Sequence, residues 1–427
     1  MTYRSTASDL ARRFALLLTA AGLALALVSG GVRAAAPPAG ASNDAAASRI
    51  VAVADIHGAF DELTGILRTA GLVDDRHRWI GGNAVLVQTG DYFDRGLGVR
   101  EAMNLLMALE REAPRAGGRA LVLLGNHEVM NLVGRTRDVN PDLYAKFADG
   151  DSEKRREKAW AAFVKLADAR AKQLGSRPAV YDVTREDWMA AHPPGLLEYM
   201  EAISPNGAYG RWLRRRPAVV NVDGTVFMHA GLDPATAPDS LDDVNDEVHG
   251  DIEAFDGYRR YLVDSKIILP FFTLPEVLAA AQAEAVSLAT LVSRAKEGDT
   301  AAADWLRSLN PRHVDVIRGV LDVGNSSLLS GDGPMWFRGF AQWSDEEGPA
   351  LIQTLLDKYR VERFVTGHTV QSPSRVNDRF GGRVFLIDTG MLSSTYTGGR
   401  ASALEITGGA ITAVYTDSTA VLQGGGR

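Results

Sequence analysis

The sequence predicts an α/β fold, on three observations. Short apolar runs rich in β-forming residues recur along the chain, helical patterns lie between them, and most of the runs stop at a small cluster of polar residues. The runs are IVAVA at 50–54, AVLVQ at 84–88, ALVLL at 120–124, TVFM at 225–228, RFV at 363–365 and VFLI at 384–387. None alternates polar with apolar, so each reads as a strand covered on both faces, as in a sheet packed between other layers.

The helical patterns come next. Residues 152–175 place Trp160, Phe163, Val164, Ala167, Ala171 and Leu174 at helical spacing and stop at Gly175. A second helix begins at TLPE, where Thr273 can cap, Pro275 occupies the first turn and Glu276 can complete a capping box. Helix collects in two insertions, at about 134–215 and 235–330, within a folded region expected over 49–417. That length is large for one core, so one domain with substantial insertions, or two lobes, is expected. The tail at 418–427, with LQGGGR, is expected to fray.

The first residues carry Arg4, Arg12 and Arg13, then the apolar stretch FALLLTAAGLALALVSG, then small residues suited to cleavage after Ala34 or Ala36. That order is a secretory signal peptide over 1–36, followed by a linker at 37–48, and implies a periplasmic or secreted protein. Arg12-Arg13 hints at twin-arginine export, but Phe14 follows without the usual spacer. An uncleaved anchor is the rival reading, and no other stretch is expected to span a bilayer. The chain's net charge is −7; cleavage removes a local +3 and leaves about −10. An acidic mature chain argues against nucleic acid or an anionic membrane as partner. With no cysteine, there is no disulfide, thiolate ligand or thiol nucleophile, and chemistry must use oxygen and nitrogen ligands.

The strand ends carry that chemistry. IVAVA is followed by Asp55-Ile-His57, AVLVQTG by Asp91-Tyr-Phe-Asp94-Arg95, ALVLLG by Asn126-His127-Glu128, TVFM by His229, and RFVTG by His368. Loops at the carboxyl ends of α/β strands converge on a common crevice. Four of the eight histidines sit at these ends, which scattered surface histidines would not do. The residue types suit two divalent cations: Asp55, His57 and Asp91 on one, Asp91, Asn126, His229 and His368 on the other, with Asp91 bridging. Two cations about 4 Å apart polarise a phosphoryl oxygen and convert a bridging water to hydroxide near neutral pH. Mixed imidazole, carboxylate and amide ligands fit Mn, placed first, and also Fe, Zn or Ni. His127 can then serve as general acid with Asp94 fixing its other nitrogen, and Arg95 can fork onto phosphate oxygens.

ADIHG, GDYFDRG, GNHE, MHAGL and TGHT, in that order, resemble the motifs of the calcineurin-like metallophosphoesterase superfamily. GDYFDRG with GNHE is similar to its phosphoprotein phosphatase branch, and the bacterial Shewanella-like phosphatases are the nearest group named by the resemblance. It spans residues 55 to 368 and implies a two-sheet β-sandwich flanked by helices, with helical insertions, together with the metal roles above. It also implies a second phosphate-binding arginine, Arg338 in GPMWFRGF. Ala54 stands where the first motif has glycine, and FLIDTGM replaces the SAPNYC segment of eukaryotic serine/threonine phosphatases, so their serine/threonine preference does not carry over.

Bland readings suit other residues. Glu128 is expected to brace its loop. Asp388 in LIDTG either approaches the site or forms a turn before Gly390, and RWLRRRP at 211–217 reads as a solvated helical face rather than an anion patch. Trp336 and Trp343 line a groove or pack, and His77, His192, His249 and His313 receive no role. The expectation is a dinuclear metal-dependent phosphatase hydrolysing phosphate monoesters of a protein, a peptide or a small phosphate ester. One alternative is hydrolysis of a dinucleoside polyphosphate; another, of a different class, is capture of phosphorylated ligands without turnover, which would be marked by loss of His127, Asp94 or a ligand.

Overall fold

The computed structural model describes residues 49–424; the expected signal peptide and most of the linker lie outside the described residues. All six apolar runs form strands: β1 (Ile50–Val53), β2 (Val85–Gln88), β3 (Arg119–Val122), β5 (Thr225–Met228), β6 (Arg363–Thr366) and β8 (Val384–Leu386). β4 (Val219–Val222), β7 (Asn377–Arg379), β9 (Ser402–Thr407), β10 (Ala410–Tyr415) and β11 (Thr419–Gln423) join them. One sheet has the order β11-β10-β9-β1-β2-β3, the other β4-β5-β6-β8-β7. The inner strands β1, β2 and β3, and likewise β5, β6 and β8, run parallel, so their carboxyl ends share one side of each sheet.

Side-chain parity explains why these strands are apolar throughout. Ile50, Ala52 and Ala54 pack with Val87, Phe227, Val365 and Phe385 in a layer drawn from both sheets. Val51, Val53 and Leu86 point the other way, into a core shared with helices such as Phe60–Thr69 and Val99–Glu112. Two sheets face to face with helices outside give the sandwich that the motifs implied.

Four expectations need correction. Residues 419–423, assigned to a fraying tail, pair antiparallel with β10. The helix Ser152–Leu174 does end at left-handed Gly175, but its buried face is Ala159, Phe163, Leu166, Ala167 and Arg170, while Val164 is exposed. The run of arginines is not simply solvated: Arg214 pairs with Asp256 at 2.6 Å and Arg216 with Glu110. Finally, Leu274–Lys296 is long and apolar enough to cross a membrane by length and composition. Its apolar character goes instead to a buried face of Val277, Ala280, Ala281, Ala285 and Leu288 within the fold. The start of that helix is as expected, with Glu276 accepting from both Thr273 N and Oγ1 at 2.7 Å.

Candidate metal centre

Each site residue sits where a parallel strand gives way to its loop, and the backbone there is forced. His57, Asp91, Asp94, Arg95 and His368 all have φ between +46° and +68°, a region non-glycine residues seldom enter. Five such residues in one place mark a site whose surroundings hold it in geometry the chain would not choose. Glycine permits the approach: a Cβ on Gly367 would run into Asp55 Oδ1. Glu128 braces the turn, its carboxylate accepting from the backbone N–H of Asp91, Tyr92, Phe93 and Gly125 at 2.7–3.0 Å.

The histidines face the centre with lone pairs. His57 Nδ1 lies 2.8 Å from Phe93 O, and His229 Nδ1 3.0 Å from Thr89 O. A carbonyl only accepts, so each Nδ1 carries the proton and each Nε2 is bare. His368 is the reverse, with Nε2 donating to Trp336 O at 3.1 Å and Nδ1 bare. The bare atoms converge: His229 Nε2 is 3.0 Å from His368 Nδ1, 3.3 Å from Asp91 Oδ2 and 2.8 Å from Asn126 Oδ1. Acceptors this close, with no hydrogen between them, repel unless a cation joins them, and imidazole, carboxylate and amide oxygen together suit a divalent ion. A second cluster shares Asp91: His57 Nε2 lies 3.7 Å from Asp91 Oδ2 and 3.9 Å from Asp55 Oδ2. The six expected ligands are thus one buried constellation, and the donor set fits two ions around Asp91.

Burial and charge reinforce this. Burial pushes His57 down to about 3 and, with His229 beside it, His368 down to about 2, so both are neutral ligands at physiological pH. Burial opposes the charge of Asp91, yet His229, His127 and His57 hold its carboxyl well below the usual range. Burial, then Asp388 and Asp91, raises Asp55, and Asp388 is pushed up to about 6 by burial against Asp91. Asp388 therefore belongs to the site, while also forming the turn, since its Oδ1 accepts from Gly390 N at 2.9 Å.

Beside the ligands lies an acid–base pair. His127 Nδ1 is 2.5 Å from Asp94 Oδ2, and Asp94 Oδ1 accepts from Asn131 Nδ2 at 2.8 Å. Asn131 Oδ1 accepts in turn from Tyr199 OH at 2.6 Å, so the first insertion stiffens the pair. Burial of His127 disfavours its charge, but Asp91 and Asp94 outweigh that and raise its pKa. Arg95 reaches His127 Nε2 at 3.1 Å through Nη2, while its Nη1 contacts His57 Nε2 and Tyr396 OH. Arg338 lies alongside, donating to His368 O at 3.1 Å and Thr369 Oγ1 at 2.9 Å. The structure thus assembles Asp55, His57, Asp91, Asp94, Arg95, Asn126, His127, His229, Arg338 and His368. The sequence reading missed Asn131, Tyr199 and Tyr396; one signal was available for the first, since Asn131 lies one helical turn beyond His127.

This geometry defines a metal-assisted phosphoester hydrolase of the phosphatase kind. The chain belongs to the calcineurin-like phosphoesterase family, whose family model matches residues 48–319. It is 25% identical over 353 residues to Shewanella-like protein phosphatase 1 of Plasmodium berghei, covering 80% of this chain and 67% of that one. Shewanella-like protein phosphatase 2 of Arabidopsis thaliana is 32% identical over 223 residues, 49% of this chain and 53% of that one. The fold is also that of the cold-active protein-tyrosine phosphatase of a psychrophilic Shewanella species, with a TM-score of 0.54, 21% identity, and 88% and 80% of the two chains covered.

Proposed function

We propose that this chain is a dinuclear metal-dependent phosphomonoesterase acting on phosphorylated proteins or peptides. The carrying observation is the set of bare, mutually facing ligand atoms around Asp91, next to a histidine whose proton is held by a buried carboxylate. Two divalent cations held there, Mn²⁺ foremost, would polarise phosphoryl oxygens and activate water at neutral pH. The chain's own residues supply the rest. Asp94 fixes Nδ1–H of His127 and leaves a proton at Nε2 for the departing oxygen. Arg95 and Arg338 present guanidinium forks that bind phosphate oxygens and offset charge in the transition state. Asn131 and Tyr199 position Asp94 without touching substrate.

Relatives named as protein phosphatases, and a structural neighbour named as a protein-tyrosine phosphatase, support a phosphorylated side chain as substrate. The test is phosphate release from matched phosphoserine and phosphotyrosine peptides by protein stripped of metal and reloaded with Mn²⁺, with Asp91→Asn as control. Release that requires metal and vanishes in the variant supports the reading; metal-loaded protein inert on both peptides contradicts it. We also infer export, on Arg12, Arg13 and the apolar stretch at 14–30, and expect the mature chain to begin at residue 35 or 37 on N-terminal sequencing.

A further inference from the structure

Arg135 stands where the first insertion begins, just past the short helix Asn126–Leu132 that carries His127. Its guanidinium carbon lies 5.9 Å from the centre of the Trp336 ring. That indole meets the His368 ring edge-on, centroids 6.1 Å apart and planes at 86°, and the Trp336 carbonyl accepts from His368. Its own Nε1–H is held by Leu328 O at 2.8 Å, which fixes the ring. A row of three side chains therefore leads from a metal ligand to a cation where the two insertions meet.

Arg135 differs from the other half-buried arginines in lacking an anion. Arg214 has Asp256 and Arg155 has Glu198, whereas among the described residues Arg135 forms no ion pair. Asp138, three residues on, pairs with Arg137 at 3.0 Å. Arg338 likewise meets a carbonyl and a hydroxyl, not a carboxylate. A guanidinium held flat on an indole keeps its N–H donors in a fixed plane, ready to fork onto a carboxylate or phosphate.

We propose that Arg135, seated on Trp336, receives a second anionic group of the substrate, and that the preferred substrates are phosphopeptides with an acidic side chain or a further phosphate close to the scissile one. This rests on the phosphatase reading above. An extended peptide advances about 3.3–3.6 Å per residue, so the two steps from His368 through Trp336 correspond to a group two or three residues from the reacting phosphate. Arg135 is thus a specificity residue, separate from the arginines that face the reacting phosphate.

The test compares kcat/KM for three otherwise identical phosphopeptides with alanine, glutamate or phosphoserine two residues from the scissile phosphate, beside 4-nitrophenyl phosphate. Wild type should favour one or both acidic peptides by about tenfold, the scale of a partly solvated hydrogen bond to a charged group. Which of the two is favoured tells carboxylate from phosphate. Arg135→Gln should abolish the preference, Arg135→Lys should keep a reduced one, and Arg135→Glu should invert it; these are ratios that a merely structural arginine would not move. Equal rates on all three peptides in wild type, or a preference that survives Arg135→Gln, overturn the proposal while 4-nitrophenyl phosphate turnover leaves the phosphatase reading standing. No turnover of any substrate overturns both.

Discussion

At the carboxyl ends of the strands, Asp55, Asp91 and Asp388 lie 2–4% exposed beside the bare nitrogens of three histidines. In the helical insertions, Arg170 and Glu284 are buried just as deeply, at 1% and 5% exposed, yet there each charge has its opposite. Arg170 of the helix Ser152–Leu174 pairs with Glu284 of Leu274–Lys296, and His313 Nε2 lies 3.5 Å from the same carboxylate. Tyr261 OH approaches His313 Nδ1 at 3.3 Å, while Arg170 Nη1 donates to Gln173 at 2.5 Å. One cluster is closed on itself and ties the two insertions together. The other is anionic and rich in lone pairs, and is complete only with cations. Burial alone does not identify a functional site; uncompensated burial does.

The comparison can be broken at several points, beginning with the largest effect. Asp91→Asn removes the carboxylate common to both ligand clusters, and phosphate release should fall by at least about 10³-fold with loss of bound metal. His127→Asn should lower kcat by about 10²–10⁴-fold while bound metal is retained, as measured on metal-loaded protein. In the closed cluster the loss should appear as stability instead. Arg170→Met strands a buried carboxylate and should cost about 3–5 kcal/mol in denaturant unfolding, whereas joint replacement of Arg170 and Glu284 by apolar residues should recover most of it.

A finer contrast uses pH. In metal-free protein Asp388 is raised from 3.8 to about 6, so its protonated form is favoured in the fold. Stability is then full below the unfolded value and declines as pH rises through 6, by about 3 kcal/mol for this group. Thermal unfolding should show that decline, and saturating Mn²⁺ should remove it. The smallest effect is at Tyr396, whose ring lies 5.5 Å from the Arg95 guanidinium. Tyr396→Phe frees Arg95 from the phenol and should raise KM about tenfold with little change in kcat, seen in steady-state kinetics.

Much of this was legible in the sequence, for a physical reason. Strands covered on both faces must be apolar, so a sudden Asp-Ile-His or Asn-His-Glu at a strand end stands out, and the ligands and the His127–Asp94 pair follow from those ends. Asp388 was harder, because LIDTG is equally a turn, and it is one. Tyr396 lies in a loop of small residues reached only through tertiary contact with Arg95, and no periodicity announces it. The strands β9 and β10 went unread although Gly408 and Gly409, at φ +57° and +82°, form a two-residue hairpin turn. Arg170 was hidden most fully: it occupies a buried helical position where pattern reading expects an apolar side chain, and its partner lies in the other insertion.

The central claim is that Asp91 joins two cations in a buried, otherwise uncompensated site. It is tested most directly by the metal content of the purified protein after Mn²⁺ loading and removal of free ion, measured by mass spectrometry on wild type and Asp91→Asn. Two ions per chain in wild type, falling to one or none in the variant, is the expected result. A wild-type chain that retains none, or a variant that still holds two, would contradict it.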